Sequence, residues 1–288
     1  MNLLNEYSKI CEVAIRSPLS SFVNDEKIAN EWGSLRFHAK PDLNKAISEY
    51  NFFKSFLEED KIKIIELPSS DKLTLDSIYT RDSILLCESG LILCNMGKSS
   101  RNSEAEENFK TLADIGYKIA GQIKSPGTLE GGDFIWIDNK NAAVGLGPRT
   151  NAEGIRQLKE ILGPEIDLKI VHLPDPKHPD DVLHLMSIIS PLDKDLAVIY
   201  KPFIPESFLN WLAKLGIEFI EVSEAEYPLM GCNILATAPR SIIMLKDLPV
   251  IKNKLEKTGC KVRCYKGDEI SRKGEGGPTC LTRPLIRN

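Results

Sequence analysis

The chain has 288 residues, of which 42% are hydrophobic and 27% are charged, and its net charge is −4. This balance lacks the positive excess with which proteins bind nucleic acid or anionic membranes, and no apolar run approaches the length of a membrane span. The seven cysteines are scattered without a C-x-x-C pair, which argues against a disulfide framework or zinc cage, and no signal peptide is recognisable, so we expect a cytoplasmic protein.

The predicted elements repeat one pattern five times along the chain. Each copy has a short apolar strand, a polar loop, an amphipathic helix and a second apolar strand. The first strands are, in chain order, "CEVAIRSP", "GLILCNMG", "NAAVGLG", "DLAVIYKP" and "SIIMLKD". The helices of copies two to five end at a glycine, the usual left-handed C-cap, at Gly116, Gly163, Gly216 and Gly259. The pattern predicts an α/β fold built from five equivalent units.

One further strand-like segment follows each copy and carries polar residues within apolar surroundings. These residues are, in chain order, Asp82, Glu130 with Asp133, His184, Asn233 and Cys280. They recur every 47 to 54 residues. Units arranged in a ring would bring equivalent positions to a common axis, so we expect one domain over residues 1–288 with a central pocket. Unrelated polar residues on ordinary α/β connections are the alternative.

Cys280 and His184 are the first candidates for chemistry at that pocket. Cys280 follows the turn Gly276-Gly277-Pro278 at a predicted strand start, which suits a presented nucleophile, although a buried structural thiol is the alternative. His184 lies in the apolar run "VLHLMSIIS", which we predict to be a strand, and it shares the repeat phase of Cys280. His172 and His178 fall in a polar loop and are predicted to be surface residues.

Carboxylates and arginines supply the rest of the predicted pocket. Asp76 and Asp82 interrupt an apolar run beside Arg81, and Glu130 and Asp133 flank a glycine pair in "TLEGGDFIWI". Internal ion pairs are one reading of these acids. Several carboxylates facing one thiol suggest instead a flat cationic substrate such as a guanidinium.

The arginine pair occupies matching loops of copies two and three, in "GKSSRNSEAEE" and "GLGPRTNAEG". Arg101 and Arg149 would suit a ligand carboxylate, while two surface arginines near helix starts are an equal alternative.

The motifs "LEGGD", "GLGPRTN" and "LHL", together with the cysteine near the C-terminus, resemble the amidinotransferase and deiminase superfamily of guanidino-group modifying enzymes. Within it the chain looks most like the dimethylarginine dimethylaminohydrolases, over essentially its whole length. The resemblance implies a five-bladed β/α propeller, the pentein fold. It also implies hydrolysis of arginine or an Nω-methylated arginine to a ureido product, without metal or organic cofactor. The substrate is then a small guanidino molecule, and the sequence leaves a homodimer open.

By the same resemblance Cys280 is the nucleophile, His184 the general acid and base, and Glu130 the third member of the triad. Asp82 would hold the guanidinium, Asp76 would lie near the α-amino group, and Arg101 and Arg149 would bind the substrate carboxylate. The catalytic cysteine would form an S-alkylthiouronium intermediate. Asp133 completes the carboxylates that we expect at the substrate.

Two positions depart from the family pattern. Arg81 stands where dimethylarginine hydrolases usually carry an acid, and "YTRD" is closer to arginine deiminases; Met186 stands where those deiminases carry an acid. An arginine deiminase-like enzyme and an amidinotransferase with an amine acceptor are therefore alternatives. A catalytically silent propeller that only binds arginine-like ligands is a further alternative. A papain-like amidase is disfavoured, because the cysteine of such an enzyme normally precedes its histidine in the chain, whereas here His184 precedes Cys280.

Overall fold

The computed structural model describes residues 3–175 and 183–288, so His178 lies outside the described residues. The strands of these ranges are β1 (Ile10–Ile15), β2 (Lys63–Glu66), β3 (Ile84–Cys87), β4 (Gly90–Leu93), β5 (Ile119–Gln122), β6 (Phe134–Trp136), β7 (Asn141–Leu146), β8 (Asp167–His172), β9 (Ile189–Asp193), β10 (Leu196–Ile199), β11 (Glu218–Glu221), β12 (Leu235–Ala238), β13 (Ser241–Leu245), β14 (Lys261–Tyr265) and β15 (Arg283–Arg287). The α-helices are α1 (Pro18–Ser21), α2 (Asp25–Glu31), α3 (Leu43–Glu59), α4 (Glu104–Asp114), α5 (Ala152–Leu162), α6 (Glu206–Lys214) and α7 (Pro249–Lys257).

The strands form five three-stranded sheets of one design. The strand orders are β15-β1-β2, β3-β4-β5, β6-β7-β8, β9-β10-β11 and β12-β13-β14. In each sheet the central strand pairs antiparallel with one neighbour and parallel with the other. Because a parallel pair needs a long crossover, each parallel pair is connected through a helix, α3 to α7 in turn. These five equivalent units are the predicted repeat.

The C-terminal strand closes the ring. β15 pairs antiparallel with β1, with Val13 opposite Pro284 and Ala14 opposite Arg283. The first sheet is therefore completed by the last strand of the chain, as the sequence predicts, and the residues just before β15 are held in place on both sides. Five such sheets in a closed ring make a five-bladed β/α propeller.

Helix α5 illustrates why the helices form where the sequence predicts them. The Asn151 side chain accepts a hydrogen bond from the Gly154 N–H at the N-terminus, and Gly163 ends the helix with a φ of 83°. Ile155 and Leu158 are buried on one face, within a cluster that also contains side chains of β3, β4, β6 and β7. The core thus lies between neighbouring blades and fixes each blade against the next.

The segments that precede β3, β6, β9, β12 and β15 are the linker segments of the sequence analysis. Asp82, His184, Asn233 and Cys280 lie before β3, β9, β12 and β15, and they line cavities beside one thiol. Glu130 and Asp133, before β6, do not line these cavities, although Gly132 between them lines one. The structure therefore brings four of the five repeated positions to these cavities through a polar side chain or a thiol, and the fifth through a glycine.

Two local predictions are wrong. The strand predicted to contain His184 starts only at Ile189; His184 instead precedes a 3-10 turn over Leu185–Ser187. Likewise the strand after Cys280 starts at Arg283. Short apolar runs do not distinguish a buried turn from a buried strand, because both exclude polar side chains. Among the described helices, none is both long and apolar enough to cross a membrane.

Candidate active site

Two cavities, each of about 160 Å³, meet at the Cys280 thiol. The first is lined by charged groups, and we call it the charged chamber; these groups are Arg36, Asp76, Asp82, Lys98, Arg101, Arg149, His184 and Glu275. The second has a more apolar lining and is called the apolar chamber; its residues include Met186, Tyr227, Pro228, Met230 and Asn233. His184, Glu275 and Cys280 line both chambers. The Cys280 thiol can therefore be reached from both the charged chamber and the apolar chamber.

The glycines before Cys280 are needed because neighbouring side chains approach the backbone closely. A Cβ on Gly276 would lie 2.1 Å from a Tyr79 ring carbon, and one on Gly277 would lie 2.5 Å from Asn233 Cγ. Neither contact is compatible with a larger residue unless its neighbour moves. The glycine pair therefore lets Tyr79 and Asn233 pack against the segment that carries the thiol.

The Cys280 thiol is partly buried and receives a hydrogen bond. Asn233 Nδ2 donates to Sγ at 3.2 Å, and Asn233 Oδ1 accepts from the Thr279 N–H at 3.1 Å. Burial and the nearby Asp82 carboxylate raise the pKa of Cys280 to about 11, against the lowering effect of Asn233 and Arg81. The free thiol is therefore mostly protonated at neutral pH. An added positive charge next to Asp82 would favour the thiolate.

His184 and Glu130 form a buried pair. His184 Nε2 and Glu130 Oε2 are 2.8 Å apart, and the Glu130 side chain is fully buried. Although burial lowers the pKa of His184, the carboxylates of Asp133, Asp82 and Glu130 outweigh it and raise this pKa to about 9. Burial opposes ionisation of Glu130, but its hydrogen bond with His184 and the surrounding positive charges hold its pKa well below the usual range. At neutral pH the pair therefore consists of a protonated His184 and an ionised Glu130.

The glycine pair of "LEGGD" makes room for these groups. A Cβ on Gly132 would lie 2.8 Å from His184 Nδ1 and 2.9 Å from Asp82 Oδ1. On Gly131 it would lie 2.3 Å from the Arg81 carbonyl oxygen. His184 and Asp82 therefore both approach the backbone at Gly132, where only glycine fits without displacement.

Asp82 has one bound oxygen and one without a partner. Arg101 Nη1 donates to Asp82 Oδ2 at 2.7 Å, whereas Oδ1 is buried and has no hydrogen-bond partner among the described residues. A buried carboxylate oxygen in this state is unfavourable unless a donor arrives. The charged chamber, which Asp82 lines, is where such a donor would bind.

Arg101 is largely occupied by protein acceptors. Its guanidinium binds Glu104 through two hydrogen bonds of 2.7 and 2.8 Å, and it also donates to Asp82 and to the Tyr79 carbonyl oxygen. A guanidinium has five N–H donors, so one is left for a ligand. Arg101 lines the charged chamber, and its role as a carboxylate ligand stays a prediction.

Arg149 is the less constrained of the two arginines. Its Nη1 donates to both Glu130 oxygens at 3.3 Å, and its other guanidinium nitrogens make no hydrogen bond to the described protein. Arg149 therefore faces the charged chamber with donors available.

Lys98 is a site residue that the sequence analysis missed. Its Nζ lies 2.7 Å from Asp76 Oδ2, and its backbone N–H donates to Glu130 Oε1 at 3.0 Å. Lys98 lies in the loop after β4, as Arg101 does, so its position in the repeat could have identified it as a site residue. Lys98 links the predicted amino-group ligand Asp76 to the triad residue Glu130.

Asp133 does not line either chamber. Its Oδ2 accepts from Thr150 Oγ1 at 2.7 Å, and its Oδ1 accepts from the Leu185 N–H at 3.0 Å. Burial is the main cause that raises its pKa, to about 6. Both Asp133 carboxylate oxygens thus bind protein donors, one of them in the residue that follows His184, and a contact of Asp133 with substrate stays a prediction.

One group of side chains has the spacing of a metal site. The nearest ligand atoms of Asp82, Glu130 and His184 lie within 4.8 Å of one another. A metal ion bound by these three side chains would take the place of the proton between His184 and Glu130.

Comparisons with known proteins show which family the chain belongs to. Residues 22–287 match the family model described as "N,N dimethylarginine dimethylhydrolase, eukaryotic". The N(G),N(G)-dimethylarginine dimethylaminohydrolase of Pseudomonas aeruginosa is 26% identical over 244 residues, which are 84% of this chain and 89% of that protein. The arginine deiminase of Listeria welshimeri is 26% identical over 333 aligned positions, covering 99% of this chain and 77% of that protein. A solved structure of the Pseudomonas enzyme, a mutant in complex with citrulline, superposes with a TM-score of 0.77 at 24% identity, covering 96% of this chain and all of the other.

Fold and relatives together define the class: a pentein-fold C–N hydrolase that acts on guanidino groups. Within that class, the chain belongs to the N,N-dimethylarginine dimethylhydrolase family, whose model spans nearly its whole length.

Proposed function

We propose that the protein hydrolyses a C–N bond in the guanidinium of arginine or of an Nω-methylated arginine, through a covalent intermediate on Cys280. The products are a ureido amino acid such as citrulline and an amine or ammonia. Cys280 is the nucleophile, His184 the acid and base, and Glu130 the residue that orients His184. Relatives named for dimethylarginine and for arginine support this substrate class.

The observation that carries the proposal is the unpartnered Oδ1 of Asp82. This buried oxygen lies beside His184, at the end of the charged chamber that also contains the thiol. A guanidinium would donate to it and bring a delocalised positive charge next to a carboxylate. The positive charge of the guanidinium would lower the pKa of the Cys280 thiol, because it offsets the Asp82 carboxylate and stabilises the buried thiolate. Substrate binding would therefore generate the thiolate, with the thiol proton released to solvent.

In the first half-reaction the Cys280 thiolate attacks the guanidinium carbon and forms a C–S bond. The C–N bond to the departing nitrogen then breaks, and the His184 imidazolium gives its proton to that nitrogen. A neutral amine leaves far more readily than its anion. Because the pKa of His184 is about 9, its acid form is populated across the physiological range. An S-alkylthiouronium on Cys280 and a neutral His184 remain.

In the second half-reaction water attacks the thiouronium carbon. Neutral His184 accepts one proton from that water and the C–S bond breaks. The second proton goes to the departing Cys280 sulfur, so the thiol is regenerated as the neutral ureido product is released. Glu130, which is fully buried and stays ionised, compensates the positive charge on His184 in each cycle. Asp133 accepts a hydrogen bond from the N–H of Leu185, the residue after His184, so we assign Asp133 a role in positioning His184.

The charged chamber also supports recognition of an amino acid. Arg149 offers free donors for the α-carboxylate, and Asp76, held by Lys98, offers an acceptor for the α-amino group. Arg101 is assigned chiefly to holding Asp82, with one N–H left for the carboxylate. The apolar chamber lies beside the thiol and is large enough for N-methyl groups of a leaving amine, which favours methylated arginines.

An arginine deiminase-like reaction is the second candidate. Arg81 replaces the acid of the dimethylarginine hydrolases, and in the structure it points to Glu6. Arginine and methylarginine give the same intermediate and differ only in the amine that leaves, so the same residues serve both.

The test is product analysis by mass spectrometry on arginine, its methylated forms and agmatine, in ¹⁸O-labelled water and with glycine as an added acceptor. We expect a ureido product that carries ¹⁸O, with methylated arginine or arginine as the best substrate. Transfer of the amidino group to glycine would overturn the hydrolase assignment in favour of an amidinotransferase. No turnover with any guanidine would favour a binding protein.

A further inference from the structure

Thr80, Arg81 and Asp82 are successive residues before β3, and the proposed reaction uses only Asp82. The two residues before Asp82 are hydrogen-bonded to the segment 279–281, which carries the thiol of Cys280. The carbonyl oxygens of this segment accept, in chain order, from Arg81 Nε at 3.2 Å, from the Arg81 backbone N–H at 3.2 Å and from Thr80 Oγ1 at 3.3 Å. The backbone on both sides of Cys280 is therefore fixed by Thr80 and Arg81.

The guanidinium of Arg81 is buried and is held at two of its nitrogens. Only 1% of Arg81 is exposed. Its Nε binds the Thr279 carbonyl oxygen, and its Nη1 lies 3.0 Å from Glu6 Oε2. Arg81 lines the apolar chamber together with Cys280. A positive charge is thus fixed at the chamber that leads to the thiol.

This charge acts on the thiol in the direction that favours the nucleophile. Burial and the Asp82 carboxylate raise the pKa of Cys280 to about 11, and Arg81 acts in the opposite direction. An acid at position 81, as in the dimethylarginine hydrolases, would supply neither a positive charge nor, when ionised, a donor for the Thr279 carbonyl oxygen. The chain therefore holds its thiol in a way that depends on the arginine.

We propose that Arg81 is a positioning residue for the nucleophile, which fixes the backbone at Cys280 and keeps a positive charge beside the thiol. Asp82, the next residue, is the proposed ligand of the guanidinium. One turn would therefore set the positions of both the thiol and the carboxylate that holds its target, and a fixed geometry of this kind favours attack. The role of Arg81 rests on the proposed function, in which Cys280 is the nucleophile.

The test is the rate at which iodoacetamide alkylates Cys280 without substrate from pH 6 to 11, with peptide mass spectrometry to distinguish it from the other cysteines. The thiolate is the reacting form, so below the thiol pKa the rate follows the thiolate fraction. Arg81→Gln should raise that pKa by about one unit or more and slow alkylation at pH 8 at least about tenfold. Glu6→Gln removes the negative charge that faces Arg81, so it should speed alkylation at least about twofold.

Arg81→Lys separates the charge from the hydrogen bond. The lysine keeps a positive charge but lacks Nε, so alkylation should stay within about threefold of the wild type. Its kcat for the best guanidine substrate should nevertheless fall at least about tenfold, because the Thr279 carbonyl oxygen loses its donor. A wild-type kcat in this variant would contradict the positioning role.

Arg16→Gln is the matched control for loss of a buried guanidinium. Arg16 is also 1% exposed, donates to the Pro68 and Ser77 carbonyl oxygens and to Asn108, and lines neither chamber. This variant should lower the unfolding temperature and leave the alkylation of Cys280 unchanged. The titratable groups that line the two chambers, apart from Arg81, are the same in all four variants, namely the charged groups named above for the charged chamber, with Tyr79, Tyr227 and Cys280.

An Arg81→Gln protein that is alkylated at the wild-type rate would overturn the proposal, and so would a Glu6→Gln protein that is alkylated no faster than the wild type. If Arg81→Gln does not fold, Glu6→Gln and Arg81→Lys still decide. Alkylation requires no guanidine substrate. Product formation without an adduct on Cys280 would instead overturn the proposed function, so the two failures are distinguishable.

Discussion

Glu130→Gln tests how the buried triad sets the protonation of His184. The difference between a His184 pKa of about 9 and the ordinary 6.5 corresponds to on the order of 3 kcal/mol in favour of the imidazolium. Glu130 supplies part of it through the hydrogen bond and its charge, while Asp133 and Asp82 remain in the variant. We therefore expect the pKa of His184 to fall by about one unit or more.

The sign of the effect on activity follows from the role of His184 as an acid. The acid form is lost as pH rises through its pKa, so wild-type kcat should decline near pH 9. In Glu130→Gln this decline should begin at least about one pH unit lower, and the maximal kcat should fall about tenfold to a hundredfold. The assay is ureido-product formation at saturating substrate from pH 6 to 10.

A matched control separates this effect from general damage to a buried glutamate. Glu226 is also buried, accepts hydrogen bonds from the Val250 and Ile251 N–H groups at the start of α7, and lines neither chamber. Glu226→Gln should lower the unfolding temperature but leave the pH of the decline in place. A Glu130→Gln enzyme with the wild-type pH profile would refute the assignment of His184 and Glu130.

Other substitutions address the remaining roles. Cys280→Ser should reduce turnover by several orders of magnitude with an unchanged unfolding temperature, whereas Cys264→Ser should remain active; a loss below about tenfold would remove Cys280 as the nucleophile. Arg149→Ala should raise KM for arginine about tenfold to a hundredfold more than KM for agmatine, which lacks the carboxylate, because loss of the Arg149–Glu130 contact affects both substrates alike; equal effects on both substrates would contradict a carboxylate contact. Gly132→Ala should lower kcat at least about tenfold, because the new methyl group displaces His184, and normal kcat in this variant would show that the close approach is unimportant. Asn233→Ala should raise the thiol pKa, measured as slower alkylation by iodoacetamide across the pH range, and faster alkylation would contradict the donor role.

The fold could be predicted because its signals repeat. The helices of copies two to five were each marked by a glycine at their end, and these glycines have positive φ values. The predicted helix of the first copy matches α3 at Leu43–Glu59. The regular return of polar residues every 47 to 54 positions then indicated a ring, and the β15–β1 pairing confirms the closing strand. Because the same pattern occurs five times, one misplaced strand, such as the one predicted at His184, does not change the predicted topology.

The contacts of the site could not be predicted in the same way. Whether a side chain enters the chamber depends on the turn that precedes its strand: Glu130 starts the 3-10 turn Gly131–Asp133 and faces His184, while Asp133 ends it and faces Thr150. Asp76 precedes β3 and Lys98 follows β4 of the same sheet, and the spacing of these residues does not show that their side chains meet. The spacing of residues in the sequence shows which position of the repeat a residue occupies, but it does not show where the side chain of that residue points.

The account rests on a covalent intermediate at Cys280, and intact-protein mass spectrometry measures it directly. The wild type and His184→Ala are mixed with arginine or dimethylarginine, quenched in acid within one turnover, and digested to map the modified residue. We predict an adduct on the Cys280 peptide with the mass of the substrate minus the departing amine, the same adduct for both substrates. Product formation by the wild type without any adduct on Cys280, or an adduct on another cysteine, would contradict it.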